Sequence, residues 1–382
     1  MPINHVTRRA VVTNLLRASA ATAIGAPALS VLAQRELGQG RFNTEGFQRQ
    51  YRVPAMSVAI SKDGRFVYDR AGGMADRQHL TQAQQDSLFR IADLSKPITA
   101  VTIFFLIENG KLNLTDKVFG PAGILNAKYG KASYKPNVAE VTVDHLLTHT
   151  AGGWAADEND PMFHNNGWDQ AKLITTTIEN APLTSQPGTQ WIYSNFGYCL
   201  LGRVIEQVAG QPYDAYVQAN ILGPCGITSM QIGRNSERQR GANEVVYIGQ
   251  YSEDPYKINV SRMDSCDGWI ASSTQLVQFL NHVAGTPNIA ALLKPETIRI
   301  MTTPTPASPT GNGRYARGWM VSDNGTGAWW HSGSLPGSTS FMIRTADGSC
   351  AAAVCNTRTE PHQEMDMALY RMMSEMVQNV SG

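Results

Sequence analysis

Strand-like patterns lie near both ends of the chain, and apolar helix-like patterns fill the part between them. The β-rich runs on either side of Asp63-Gly64, a dipeptide typical of tight turns, predict a hairpin from Pro54 to Tyr68. The stretch from Ile98 to Ile107 is apolar on every face and predicts a buried helix, which Asn109-Gly110 would end.

Helical patterns recur through the middle of the sequence. They predict helices over 141–148, 168–180, 196–209, 213–221, 273–284 and 293–302. Strand patterns return between Gly318 and Asn356, and a last helix is predicted over 362–378. This order predicts an α/β (α+β) fold: an antiparallel sheet built from both chain ends, flanked by helices, with a mainly helical lobe inserted at roughly 110–310. A site would lie in the cleft between the two lobes.

Composition narrows the class of protein. The 382 residues exceed the size at which one core usually stops growing, which agrees with two lobes, and 42% apolar residues can form a large core. Lys and Arg total 32 against 31 Asp and Glu, so the formal net charge is +1. Because a nucleic-acid binder needs a basic surface, this balance argues against that function.

The five cysteines are too few and too scattered for a disulfide scaffold. The sequence contains no Cys-x-x-Cys pair, which argues against a zinc ribbon. Cys225 and Cys266 could pair, which the sequence alone leaves open. Cys350 and Cys355 are an odd number of residues apart on a predicted strand, so they should point to opposite faces and not bridge each other.

The N-terminal residues 1–33 resemble a twin-arginine export signal. Arg8 and Arg9 precede a stretch rich in small residues, with candidate cleavage sites after Ala28 and Ala33. An ordinary helix or a disordered tail is the alternative. The export interpretation predicts a periplasmic or secreted protein whose mature domain covers 35–382. No later stretch is long and apolar enough to predict a transmembrane helix.

Three polar segments carry the candidate chemistry. Asp93–Lys96 opens the predicted buried helix, Tyr193–Asn195 precedes another helix, and His331–Ser334 lies on a predicted strand. Their order and setting resemble the serine β-lactamase and penicillin-binding-protein superfamily, in particular class C β-lactamases, family VIII carboxylesterases and D-amino-acid-specific peptidases. The resemblance covers nearly the whole mature chain and implies a β-lactamase/transpeptidase-like fold.

The resemblance also implies a role for each motif residue. In the family, the serine of a Ser-x-x-Lys motif attacks a carbonyl carbon, and a lysine one turn later lowers the cost of its deprotonation. Lys96 matches that lysine, Tyr193 matches the tyrosine that helps to move the proton, and Asn195 matches a polar positioning residue.

The third motif would lie on an edge strand and complete an oxyanion hole together with the backbone N–H of the nucleophile. Gly333 and Ser334 match this strand, with the Ser334 N–H as the expected donor, and His331 matches a residue that positions substrate or oxyanion. The chemistry of this family needs side chains and backbone only, so no metal or organic cofactor is implied.

The sequence departs from the family at the nucleophile, where Asp93 stands in place of serine. Ser95 is no substitute, because two residues along a helix place it about 200° away from the Asp93 side. The sequence contains no Ser-x-x-Lys at another position and no Gly-x-Ser-x-Gly elbow.

Three interpretations of Asp93 follow. The carboxylate can silence the site, since aspartate is a good helix N-cap and can pair with Lys96. It can instead do new chemistry, as a general base for water or as a nucleophile that forms a mixed anhydride. It can also be a substitution introduced deliberately.

The leading functional hypothesis is a hydrolase or acyl-transfer enzyme that acts on a small ester or amide. Its catalytic residues would be Asp93, Lys96, Tyr193 and His331. The alternative is a catalytically silent protein that binds a ligand in the same cleft. Penicillin, short-chain ester, D-peptide and oligoamide substrates all stay open, as does the oligomeric state. His145 and His149 have a spacing that can bind zinc, but no glutamate follows His145, which favours packing.

Overall fold

The computed structural model describes residues 43–381 except 127, 131–133, 312 and 324–326. The predicted export signal at 1–33 lies outside these described residues. No helix within them is long and apolar enough to cross a bilayer.

Helices occur along the whole described chain. They are α1 (Thr44–Tyr51), α2 (Ser95–Glu108), α3 (Val143–Leu147), α4 (Gln170–Asn180), α5 (Asn195–Ala209), α6 (Tyr213–Val217), α7 (Ser273–Val283), α8 (Pro295–Met301) and α9 (His362–Ser381). The predicted buried helix is α2, and ten of its fourteen residues from Ser95 to Phe104 are buried without interruption. The helix predicted over 213–221 is shorter, because a π-helical turn replaces it at Gln218–Leu222.

The strands form two antiparallel sheets within the described residues. The strands are β1 (Ala55–Lys62), β2 (Arg65–Asp76), β3 (Thr81–Gln82), β4 (Phe89–Arg90), β5 (Gln231–Ile232), β6 (Trp269–Ala271), β7 (Arg314–Tyr315), β8 (Met320–Val321), β9 (Trp329–Leu335), β10 (Ser338–Arg344) and β11 (Cys350–Cys355). The large sheet has the order β3-β2-β1-β11-β10-β9-β8-β7, and the small one has the order β4-β6-β5.

The two ends of the chain meet in the middle of the large sheet. Strand β1 pairs with β11, with Met56 opposite Cys355. The Asn356 side chain accepts a hydrogen bond of 2.7 Å from the Ala55 N–H, which closes the end of this strand pair. The prediction of an antiparallel sheet assembled from both chain ends is therefore confirmed.

Side chains alternate between the two faces of the large sheet along each strand. Helices cover both of these faces. Helix α7 packs on one face, where the Ser57 and Ser273 hydroxyls are 2.7 Å apart. Helices α1 and α9 cover the other face with apolar side chains such as Phe47 and Met365. Helix α7 lies inside the range 110–310 that was predicted for the inserted lobe, although it packs on the sheet. The boundaries of this lobe stay a prediction.

All five cysteines are buried free thiols, so Cys225 and Cys266 do not form the bridge that the sequence left open. Cys350 lies in the core beneath α7, whereas Cys355 lies in the core beneath α9. The expected opposite orientation of this pair is confirmed.

Candidate active site

A sharp turn between β4 and α2 places Asp93. Ala92 has a φ of 50°, in the left-handed region, and begins a 3-10 turn that leads directly into α2 at Ser95. This conformation costs a non-glycine residue about 1 kcal/mol or more, so the surrounding structure must hold it in place. Asp93 is not a side-chain cap of α2, which corrects one part of the silencing interpretation.

Ser95 points away from Asp93, as its helical position predicts. It is fully buried, and its hydroxyl accepts a hydrogen bond of 3.2 Å from the Trp269 N–H on the neighbouring strand β6. Ser95 therefore supports the small sheet.

Strand β9 approaches the turn at Gly333. A Cβ atom at this position would lie 2.5 Å from both the Ile91 carbonyl oxygen and the Ser340 hydroxyl, and 3.0 Å from the Asp93 nitrogen. Only glycine permits this approach. It brings the Ser334 N–H to the Asp93 side chain, where the resemblance implies an oxyanion donor.

The expected edge position of this strand is wrong for β9 as a whole, because the short strand β8 pairs with Trp329 and Trp330. Within the described ranges, no strand pairing covers that side of β9 from His331 onward, and the turn that contains Asp93 lies there instead. The motif itself is thus open on one side.

The Asp93 carboxylate accepts hydrogen bonds from Lys96, Tyr193 and Ser334. Its Oδ1 accepts from Lys96 Nζ at 2.8 Å and from the Tyr193 hydroxyl at 2.9 Å. Its Oδ2 accepts from the Ser334 N–H at 3.2 Å. The structure therefore brings Asp93, Lys96, Tyr193 and Ser334 together, as the sequence predicts. The Asp93 carboxylate lies at the position of the nucleophile and accepts a hydrogen bond from the N–H that was expected to bind the oxyanion.

Lys96 is fully buried and makes two further contacts that the sequence did not indicate. Its Nζ donates to Asp267 Oδ1 at 3.0 Å and to the Cys266 carbonyl oxygen at 3.1 Å. Burial lowers the pKa of Lys96, but the carboxylates of Asp267 and Asp93 outweigh burial, and the net pKa is raised. Lys96 is therefore a cation at neutral pH.

Asn195 is the first residue of α5 and is completely buried. Its amide nitrogen donates to Asp160 Oδ2 at 2.7 Å, so its contact is with the loop before α4 and not with Asp93. Its role as a substrate-positioning residue stays a prediction.

His331 is an uncharged side chain at neutral pH. Its Nδ1–H donates to the Ser332 carbonyl oxygen at 2.6 Å, and its Nε2 faces the Tyr315 hydroxyl at 3.4 Å. Burial lowers the pKa of His331 to about 4, although the Asp93 carboxylate opposes this shift. His331 thus offers the site a neutral ring.

His149 packs beside the site, which agrees with the packing interpretation. Its ring centroid lies 4.1 Å from that of Tyr193, and its Nδ1 accepts a hydrogen bond of 3.1 Å from the Ser194 N–H. His145 instead completes a capping box with Thr142 at the start of α3. Within the described residues, no group of metal-ligating side chains is assembled.

This fold and this arrangement of motifs define the class of protein. The family model named Beta-lactamase matches residues 40–372, so the chain belongs to the beta-lactamase family. The resemblance seen in the sequence is confirmed.

Individual relatives include hydrolases. Esterase EstB of Burkholderia gladioli is 31% identical over 194 residues, which are 47% of this chain and 47% of the esterase. Penicillin-binding protein 4* of Bacillus subtilis strain 168 is 26% identical over 341 residues, which cover 81% of this chain and 68% of that protein. The match thus spans about half the length of the esterase.

Solved structures support the fold. D-amino acid amidase from Ochrobactrum anthropi SV3 superimposes with a TM-score of 0.72 at 20% identity, over 91% of this chain and 100% of the amidase. A penicillin-binding protein homologue from Pyrococcus abyssi gives a TM-score of 0.69 at 24% identity, over 88% of this chain and 77% of that one. At these identities, the likeness shows the fold alone.

Proposed function

We propose that the protein hydrolyses a small ester or amide and that the Asp93 carboxylate, which stands in place of the serine, is its catalytic group. The observation that carries this proposal is the convergence of Lys96, Tyr193 and the Ser334 N–H on one carboxylate. The relative named as an esterase supports the substrate class.

The geometry suggests how a substrate would start the reaction. A substrate carbonyl oxygen accepts the hydrogen bond of the Ser334 N–H in place of Asp93 Oδ2, and Oδ2 is thereby released. Oδ1 stays held by Lys96 and Tyr193, so the carboxylate keeps its orientation.

The released oxygen then acts as a general base. It accepts a proton from a water molecule while the water oxygen bonds to the carbonyl carbon, and the carbonyl oxygen takes up the negative charge beside the Ser334 N–H. When the carbonyl re-forms and the bond to the leaving group breaks, Asp93 returns the proton to that group.

A second candidate is a silent binding protein. It is favoured by the hydrogen bond between the Ser334 N–H and Asp93 Oδ2, because a carboxylate that keeps this donor withholds it from a substrate oxygen. In this case the cleft holds an acyl ligand without turnover.

Hydrolysis of p-nitrophenyl acetate separates the two candidates. The natural protein should turn over, and Asp93→Ala and Asp93→Asn should each lose about 100-fold or more of the rate. Lys96→Met and Tyr193→Phe should lower the rate as well. Ser95→Ala is the matched control, since its hydroxyl serves Trp269, and it should keep the natural rate.

The outcome against hydrolysis is equally specific. A protein that binds the ester, shows no turnover and carries no adduct by mass spectrometry is the silent binding protein. A rate that is the same in the natural protein and in all the site variants would also reject the proposal.

We also propose that residues 1–33 direct export by the twin-arginine route to the periplasm or beyond. The Arg8-Arg9 pair before a small-residue stretch supports this. Expression in a Gram-negative host should give a periplasmic protein that begins near residue 29 or 34. Replacing both arginines by lysine should retain the full-length chain in the cytoplasm, and unchanged export would contradict the proposal.

A further inference from the structure

Lys96 has a second carboxylate partner that belongs to a different part of the chain. Asp267 lies just before β6, where its backbone N–H donates to the Met263 carbonyl oxygen at 2.9 Å. Its side chain is 0% exposed, as is that of Lys96, whereas the Asp93 side chain is 10% exposed. The pair of Lys96 and Asp267 is therefore the more completely enclosed of the two ion pairs.

The atoms around Lys96 Nζ fit an ammonium group. Three oxygen acceptors lie within 3.1 Å, namely Asp93 Oδ1, Asp267 Oδ1 and the Cys266 carbonyl oxygen. An ammonium has three N–H donors and meets all three. A neutral amine has two donors and a lone pair, and that lone pair would face an oxygen lone pair. This arrangement therefore opposes deprotonation of the lysine.

Two aromatic rings add to this preference for a cation. Lys96 Nζ lies 5.2 Å from the ring centroid of Tyr193 and 5.9 Å from that of Tyr198. Ring faces attract a positive charge at such distances.

Two of the three acceptors are independent of Asp93, because Cys266 and Asp267 belong to one fixed segment. Removal of the Asp93 carboxylate would leave this segment in place, with one full negative charge 3.0 Å from the ammonium. Consistently, the charge of Asp267 is the largest of the influences that raise the pKa of Lys96, ahead of the charge of Asp93, which adds a hydrogen bond.

We propose that Asp267 is a positioning residue that holds Lys96 as a permanent ammonium, whichever residue occupies position 93. This rests on the proposed function and deepens it: Lys96 orients the carboxylate as a cation, and Asp93 is the proton acceptor. A consequence is that Asp93→Ser by itself would place a serine beside a charged lysine that cannot accept its proton. Removal of the Asp267 charge as well should make the lysine basic.

The charge of Lys96 can be measured without any substrate. Nitrogen-15 NMR of the lysine side chains detects the buried ammonium, and its signal is assigned by its loss in Lys96→Arg. In Asp93→Asn the signal should persist to about pH 10, near the ordinary lysine pKa. In Asp267→Asn it should disappear about one pH unit or more lower. Glu140→Gln, at the exposed ion pair with Lys117, is the control and should change nothing at Lys96.

Kinetics give an independent measurement. Asp93→Ser should acylate slowly with p-nitrophenyl acetate at neutral pH and gain rate only in alkaline solution. The double variant Asp93→Ser with Asp267→Asn should be about tenfold faster or more at pH 7, with its rise shifted to lower pH.

The results distinguish this proposal from the proposed function. Loss of the ammonium signal in Asp93→Asn at a lower pH than in Asp267→Asn would overturn the role of Asp267, as would equal rates for the single and double serine variants. If Asp267→Asn does not fold, loss of the signal in Asp93→Asn at neutral pH still overturns it, and persistence supports it. Natural protein without Asp93-dependent turnover but with the expected order of signals would reject only the proposed function.

Discussion

Gly333→Ala tests whether the close approach of β9 to the turn before α2 builds the site. Gly333 does not have a positive φ, so the variant probes the space around a Cβ atom and not backbone strain. Two backbone atoms of one turn and one side chain surround that space, namely the Ile91 carbonyl oxygen, the Asp93 nitrogen and the Ser340 hydroxyl.

The size of the effect follows from these distances. The new Cβ would lie 2.5 Å from two oxygen atoms, whereas ordinary contacts begin at 3.4 Å. The strand must therefore move by about 0.9 Å, which costs about 1–3 kcal/mol of unfolding free energy for an overpacked site. The same shift takes the Ser334 nitrogen from 3.2 Å to about 4 Å from Asp93 Oδ2, beyond hydrogen-bonding distance.

Thermal unfolding followed by circular dichroism, together with ester hydrolysis, measures both effects. The variant should lose about 2–8 °C of Tm and most of any Asp93-dependent turnover. Gly167→Ala is the matched control, because a Cβ there meets nothing within 4 Å. If Gly333→Ala unfolds at the same temperature as Gly167→Ala and keeps full turnover, the reasoning from the close approach is refuted.

Three further predictions concern the charges and donors of the site. Lys96→Met leaves two carboxylates without their ammonium and should lower the unfolding free energy by about 3–5 kcal/mol in urea titrations; a loss below about 1 kcal/mol would contradict the buried ion pairs. His331 has a folded-state pKa of about 4 against an ordinary value of 6.5, so the unfolded chain binds more protons between these values. Stability should therefore decline as the pH falls from about 6.5 to about 4, with a contribution of up to about 3 kcal/mol from this ring. His331→Gln should flatten that part of the profile, and an unchanged profile would assign the decline to other groups. Tyr193→Phe removes one donor to Asp93 and should cost only about 1 kcal/mol of stability, so a much larger loss of Tm would indicate a structural role for the hydroxyl.

The sequence predicts those parts of the fold that depend on local patterns. Asp63-Gly64 gives the hairpin, and the uninterrupted apolar run gives α2. The spacing of Asp93 and Lys96 likewise indicates one helical turn, and the structure places the two side chains in contact. Tyr193 and Ser334 were located by family resemblance, because no local pattern links them to Asp93.

The contacts that the sequence missed join residues far apart in the chain. Asp267 lies 171 residues from Lys96, and an Asp-Gly pair predicts a turn, not a counter-ion. Asp160 meets Asn195 across 35 residues, from the loop before α4. Only the packing of whole elements brings such pairs together, so periodicity and short motifs do not report them.

The pairing of β1 with β11 has a consequence for how the chain folds. Ala55 and Asn356, which close this pair, are 301 residues apart, so almost the whole chain must be present before the centre of the sheet can form. Contacts of such sequence separation slow folding, because the entropy of closing a long loop is lost before the contact is made. During synthesis, the edge of β1 that pairs with β11 stays uncovered in the β1–β2 hairpin until β11 has been made. A nascent chain that stalls before β11 would expose that edge to other chains, which makes β11 decisive for solubility as well as for the sheet.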